Sequence, residues 1–104
     1  MTFASAIDNY LNAIVSDYEK WSDGSEISKE MLREFKEKLR YEFGNKYIKV
    51  ITKSSVHSFI VIKDTPKFKK GDILMAKSWK APATNFARGN ILTTFNVRWT
   101  GAAI

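Results

Sequence analysis

The hydrophobic periodicity of this chain changes once, near residue 45, and that change limits the folds open to it. Over residues 3–21, apolar side chains recur at Phe3, Ile7, Tyr10, Leu11, Ile14, Val15, Tyr18 and Trp21. Those intervals follow the 3.6-residue period, so one stripe of a helix is apolar while Asp8, Asn9, Asp17, Glu19 and Lys20 face away. Ser22-Asp23-Gly24-Ser25 interrupts the pattern with turn-forming residues. A second helix is expected to begin at Ser28, whose hydroxyl can accept an orphaned N–H of the first turn. Ile27 and Leu32 then stand as a hydrophobic staple. Met31, Leu32, Phe35, Leu39 and Phe43 carry the stripe on to Gly44-Asn45, where glycine allows a left-handed stop.

Beyond Asn45 the period drops to two. Tyr47–Thr52 and Val56–Lys63 are rich in β-branched and aromatic residues, and Lys53-Ser54-Ser55 is short enough for a hairpin. Asp64–Lys70 is polar, holds Pro66 and three lysines, and reads as an exposed loop. Ile73–Trp79 regains strand texture. In the last segment Ile91, Thr93, Phe95, Val97 and Trp99 alternate with Leu92, Thr94, Asn96 and Arg98. Two strands turning near Thr94–Asn96 fit that length, since an average strand runs about five or six residues.

Two helices followed by about five short antiparallel strands define an α+β fold with helices segregated from the sheet. The expected layout is one domain over residues 1–104, with a helical hairpin at 1–45 and a small five-stranded β-barrel at 46–104. Closure into a barrel removes exposed strand edges. The order of elements, a helical lead and then five strands, is similar to that of Sm-like barrels, and Arg88-Gly89-Asn90 resembles one of their signatures.

Charge divides at the same place as periodicity. Residues 1–45 hold six cations against nine acids, whereas residues 46–104 hold eleven cations against Asp64 and Asp72 alone. An excess so placed suits a phosphate-rich partner. The alternative is that the acidic half packs beside the basic half, or a neighbour's, and neutralises it. The chain has no cysteine, which excludes disulfides, thiolate metal sites and cysteine nucleophiles. The N-terminal MTFASAIDNYL shows no secretory leader, and no stretch is long enough to cross a membrane, so a soluble intracellular protein is expected.

Catalysis needs ionisable groups within mutual reach. The single histidine, His57, sits on an expected strand with no carboxylate nearby in sequence and reads as a polar position on a half-exposed strand. Asp72 follows Gly71 at a strand entrance, where its carboxylate can accept backbone N–H groups and fix the turn. No catalytic or nucleotide fingerprint occurs. The expectation is a protein that is not an enzyme and uses no metal or cofactor.

Single-stranded nucleic acid is bound by cations that track the backbone and aromatic faces that stack bases. The second half supplies both. The candidate binding residues are Lys67, Phe68, Lys69, Lys70, Lys77, Lys80, Phe86 and Arg88, with Trp79 and Trp99 assigned to the core. The alternative is a structural or adaptor protein that self-assembles, as a homo-oligomer, or docks on another protein.

Five segments carry a family resemblance: Lys46–Val50, Gly71–Leu74, Ser78–Pro82, Ala87–Asn90 and Val97–Ala102. Together they resemble small conserved proteins of tailed phages that infect marine cyanobacteria, over about half of the chain. The resemblance implies an Sm-like barrel and a setting in the cytoplasm of an infected bacterial host. It implies no activity and no site residues, and fold likeness alone would not confer RNA binding.

Overall fold

A computed structural model describes residues 2–22, 24–53 and 55–102, with the side chains of Gly101 and Ala102 left aside. Helix α1 spans Phe3–Trp21. Thr2 caps it: its hydroxyl accepts the Ser5 N–H at 3.1 Å while the Ser5 hydroxyl accepts the Thr2 N–H at 3.1 Å. This reciprocal pair satisfies two groups that the first turn would otherwise leave open. Helix α2 spans Glu26–Lys38. Its cap is Ser25 and not Ser28; the Ser25 hydroxyl accepts the Ser28 N–H at 3.2 Å.

The second correction is at the far end of α2. The stripe was expected to stay helical through Phe43, but Arg40–Phe43 forms strand β1. RYEF also alternates with period two, and pairing decides between the two readings. Strand β1 runs antiparallel to β2, Tyr47–Thr52, with Arg40 opposite Ile51 and Phe43 opposite Ile48. Gly44-Asn45 therefore makes a hairpin turn, closed by the Gly44 N–H donating to the Tyr47 carbonyl at 2.8 Å. The helical part ends at Lys38, not at residue 45.

Strand β3, Ser55–Val61, pairs antiparallel with β2, and β4, Ile73–Met75, pairs antiparallel with β3. The result is an α+β fold with a four-stranded open sheet in the order β1-β2-β3-β4. The expected strand Ile73–Trp79 is thus shorter, ending at Met75. The C-terminal segment does form two strands, β5 at Val97–Arg98 and β6 at Gly101–Ala102, but they turn at Trp99-Thr100 and not near Thr94–Asn96. Between β4 and β5 the chain keeps only isolated bridges, Ala76 with Pro82, Asp72 with Asn90 and Gly89 with Phe95.

The sheet has two apolar faces. On one, Ala6, Ile7, Tyr10 and Ile14 of α1 pack against Ile48, Val50, Ile60 and Ile73. Tyr18 stacks on Phe35 at 4.4 Å between centroids, joining the two helices, and Trp99 meets Tyr18 edge-on at 5.0 Å. On the other face Phe59, Val61, Leu74 and Phe68 form a second cluster, flanked by Tyr47, Val56, Ala76 and Ala87. Full burial of each such large side chain contributes about 1.5–3 kcal/mol. The second cluster has no helix over it. The loop before β4 and the corner after it supply its cover, and both are basic.

Gly71 fixes where that corner starts. Its φ of +93° lies where side chains are strained, and a Cβ there would stand 2.7 Å from Asn90 Oδ1. Asn90 Nδ2 in turn donates to Asp72 Oδ1 at 2.9 Å and to the Lys70 carbonyl at 3.0 Å. The Asp72 carboxylate also accepts the Lys69 N–H at 2.9 Å, the turn-fixing role expected of it.

Candidate nucleic-acid interface

The exposed side chains around the second cluster are mostly cationic or aromatic, and the strand alternation explains why. On β2, Ile48 and Val50 face the helices, so Tyr47 and Lys49 face the second cluster. Lys49 Nζ lies 4.9 Å from the centroid of the Trp79 ring. Trp79 itself is 46% exposed, which corrects its assignment to the core. Next to this pair, a recess is lined by Glu42, Phe43, Lys46, Tyr47, Lys49, Phe59 and Lys80. Three lysines and one glutamate thus line one recess, beside a half-exposed indole.

Of the residues expected from sequence, Lys80 is the one the structure brings to that recess. Phe86 and Arg88 form a second pair: the guanidinium sits 4.2 Å from the Phe86 centroid, and Phe86 is 52% exposed. Arg88 Nη2 also reaches Met75 Sδ at 3.8 Å, which fixes its stem along β4. Ala87 between them flanks the second cluster, whereas Arg88 reaches Met75, the strand partner of Ser58, so the Phe86–Arg88 pair lies off the Lys49–Trp79 surface. Lys77 is exposed and follows Ala76, which flanks the cluster too.

Phe68 requires a correction. It was expected to offer a stacking face between two lysines, yet it is 8% exposed and belongs to the second cluster. The loop is wound to put it there: the Thr65 hydroxyl accepts the Phe68 N–H at 2.9 Å, and Asp64 Oδ1 accepts the Lys70 N–H at 2.8 Å. Lys67 Nζ lies over the ring at 5.6 Å, so Phe68 holds Lys67 against this face without being a platform itself. Lys69 is exposed on the same loop. Lys70 departs from the group, with Nζ 4.7 Å from the Phe3 ring at the start of α1.

Sequence reasoning missed Lys46, Lys49, Tyr47 and the exposure of Trp79. Period-two alternation in YIKVIT carried the signal for Tyr47 and Lys49, once β2 is recognised as covered by helices on only one side. Among the described residues, the ion pairs join Glu26 to Lys29, Glu30 to Arg33 and Glu34 to Lys53. Only the last links the acidic and basic halves, and none engages a lysine of the corner or loop. Glu42, the strand partner of Lys49, is the acid that lines the recess with Lys46, Lys49 and Lys80.

His57 differs from expectation: it is buried, 4% exposed, on a β-bulge of β3. Its Nε2 is 2.7 Å from the Arg98 carbonyl and its Nδ1 2.9 Å from Ser58 Oγ, which is 2.7 Å from the Tyr10 hydroxyl. A Ser-His contact invites a nucleophilic reading, but Ser58 is fully buried and its hydroxyl is taken up by Tyr10 and His57. Burial pushes the His57 pKa below its ordinary value, outweighing the hydrogen bond from the backbone side, and burial pushes the Tyr10 phenol above its own. The trio is a structural tie. Among the described residues no group of three or more His, Asp or Glu side chains is placed to hold a metal ion, and no helix is long and apolar enough to cross a membrane.

No protein family, curated protein or solved structure matches this chain.

Proposed function

We propose that the chain is a non-enzymatic, Sm-like module that binds single-stranded RNA or DNA on the helix-free face of its sheet. The observation that carries this reading is the Lys49–Trp79 pair beside Lys46 and Lys80. An exposed indole offers a face for base stacking at about 1–3 kcal/mol per base, and the ammonium groups offer contacts for adjacent phosphates. Phe86 with Arg88 is a second exposed cation–aromatic pair, outside that surface. Stacking platforms and backbone contacts of this kind tolerate any base, so the binding is sequence-tolerant.

The barrel in this reading is the four-stranded sheet continued through the bridges of Asp72 with Asn90 and Gly89 with Phe95. The tie of His57 to Arg98 and the position of β6 beside β3 and β4 support closure by the C-terminal hairpin. The setting that goes with it is the bacterial cytoplasm during infection by a tailed cyanophage, after the family resemblance. The test is fluorescence anisotropy of labelled oligouridylate and oligothymidylate of roughly 12 nucleotides. Affinity should fall steeply between about 50 and 200 mM salt, linearly in log–log form. Absence of any binding by folded protein at the lower salt would sink the proposal.

A second reading, a structural or adaptor protein, is favoured by apolar surface away from that face: Ile27 is 75% exposed and Trp21 62%. Nuclease-treated pull-downs that retain a protein partner, with no oligonucleotide binding, would select it.

A further inference from the structure

Strand β1 is the outer edge of the four-stranded sheet, and all four of its residues are exposed. The Gly44 N–H bonds the Tyr47 carbonyl across the hairpin. In an antiparallel ladder the backbone groups of successive residues point alternately to one side and the other. Glu42 and Arg40, in step with Gly44, therefore turn their N–H and C=O groups toward β2. Tyr41 and Phe43 turn theirs outward, to an edge that no other strand of the sheet covers. The same two residues carry exposed aromatic rings, Tyr41 38% and Phe43 64% accessible, in edge-on contact at 5.8 Å.

We infer that β1 is a self-complementary edge that pairs antiparallel with β1 of a second copy about a two-fold axis through Tyr41. That register sets Tyr41 opposite Tyr41 of the second copy, the residue type whose N–H and C=O both point outward, so the pair exchanges both hydrogen bonds. It also sets Arg40 opposite Glu42 of the second copy, twice by symmetry, and Phe43 opposite Leu39. Cross-strand pairs of opposite charge stabilise such a junction, and like charges in the same positions oppose it. A register centred on Glu42 would instead face two carboxylates, so charge selects the Tyr41 axis. The interface is isologous and closes as a dimer, with the two sheets joined into one of eight strands. Charge on an edge ordinarily opposes pairing; here Arg40 and Glu42 carry opposite signs that meet in complementary order in this register. The inference goes beyond the proposed function, gives the homo-oligomer expected from the sequence a specific interface, and does not depend on nucleic-acid binding, which is read separately by anisotropy.

Sedimentation velocity of the full chain from roughly 1 to 100 µM tests it. A species of twice the chain mass is expected. Arg40→Glu should weaken the dimer at least about tenfold, and adding Glu42→Arg should restore it by exchanging the charges. Tyr41→Pro should abolish it while circular dichroism stays native, because the removed N–H belongs to the open edge and not to the pairing with β2. A monomer throughout that range, or a dimer indifferent to both Arg40→Glu and Tyr41→Pro, overturns the inference. If Arg40→Glu alone fails to fold, the double variant and Tyr41→Pro still decide it.

Discussion

His57 Nε2 stands 2.7 Å from the carbonyl oxygen of Arg98, forty-one residues further along, and this contact fixes the ring's tautomer. A carbonyl only accepts, so Nε2 carries the proton and Nδ1 is left as an acceptor. Ser58 then donates to Nδ1, and its own oxygen accepts from the Tyr10 hydroxyl. The proton order runs Tyr10 to Ser58 to His57 to the Arg98 backbone without a gap. Helix α1, the bulge of β3 and the C-terminal hairpin are thereby joined by one buried chain of hydrogen bonds. A second tie runs in parallel, the Trp99 N–H donating to Asp17 Oδ2 at 2.9 Å.

Acid should loosen this junction. Burial lowers the His57 pKa below its ordinary 6.5, so the folded protein holds the ring neutral where the unfolded chain would begin to bind a proton. The resulting stabilisation is fully present above about pH 6.5 and is lost as pH falls from there toward the lowered folded value. Other groups facing the ring are Tyr10, which stays neutral, and the Ser58 hydroxyl; among the described residues no carboxylate bonds the ring to reverse the sign. Urea-unfolding midpoints between pH 7.5 and 5 should decline, and His57→Gln should flatten that decline. An unchanged slope in the variant would show that other groups govern it.

The chain of hydrogen bonds should also behave as a unit. Ser58→Ala leaves His57 Nδ1 without its donor and the Tyr10 hydroxyl without its acceptor, at a cost of about 1–3 kcal/mol. Once Ser58 is gone, Tyr10→Phe removes a group already orphaned and should cost little or even recover stability. A double-mutant cycle by chemical denaturation should therefore show a coupling of about 1 kcal/mol or more. Strict additivity would mean that water enters and replaces the serine.

The helices and the presence of an α+β layout were legible because their signals are local. Period 3.6 over Phe3–Trp21 is long enough to resist override, whereas among the closely spaced serines the cap of the second helix was read at Ser28 and is Ser25. Leu39–Phe43 failed because five residues satisfy both periods, and pairing with β2, a non-local partner, decides between them. His57 was misread because an extra residue at the bulge breaks the simple alternation of β3, which no property of VHSFIV announces. Phe68 and Trp79 exchanged roles for a related reason. Which of two loop aromatics covers a sheet depends on where Thr65, Asp64 and Asp72 anchor the backbone, and those anchors act across three to six residues.

Gly71→Ala tests the anchoring of the corner. The backbone at φ +93° disfavours any side chain by about 1–2 kcal/mol, and the added methyl would collide with Asn90 Oδ1. Asn90 cannot shift freely, since its amide holds Lys70 and Asp72 and its carbonyl oxygen accepts the Leu92 N–H at 2.8 Å. A loss of about 2–4 kcal/mol in unfolding free energy is expected, from strain and displaced hydrogen bonds together. Gly24→Ala, at φ +79° with open space around it, should cost only the backbone part. Equal losses at the two sites would argue against a structural role for Asn90.

Trp79 and Phe68 give the sharpest contrast for the proposed interface, since one loop aromatic is exposed and the other buried. Trp79→Ala removes a ring that is 46% exposed and lies under Lys49, so its cost in stability should be well below that of Phe68→Ala. Oligonucleotide affinity should fall by about 1–3 kcal/mol, the value of one stacked base. Lys49→Glu and Lys80→Glu should weaken binding for every sequence alike and reduce the salt slope, as removal of phosphate contacts does. Phe68→Ala opens a cavity among Phe59, Val61 and Leu74 and should cost about 3–5 kcal/mol of stability. At temperatures where that variant is still folded, its affinity should change less than that of Trp79→Ala. Anisotropy titrations beside urea denaturation separate the two effects; a Phe68 variant that is stable but binds poorly would return that ring to the surface and reverse the assignment.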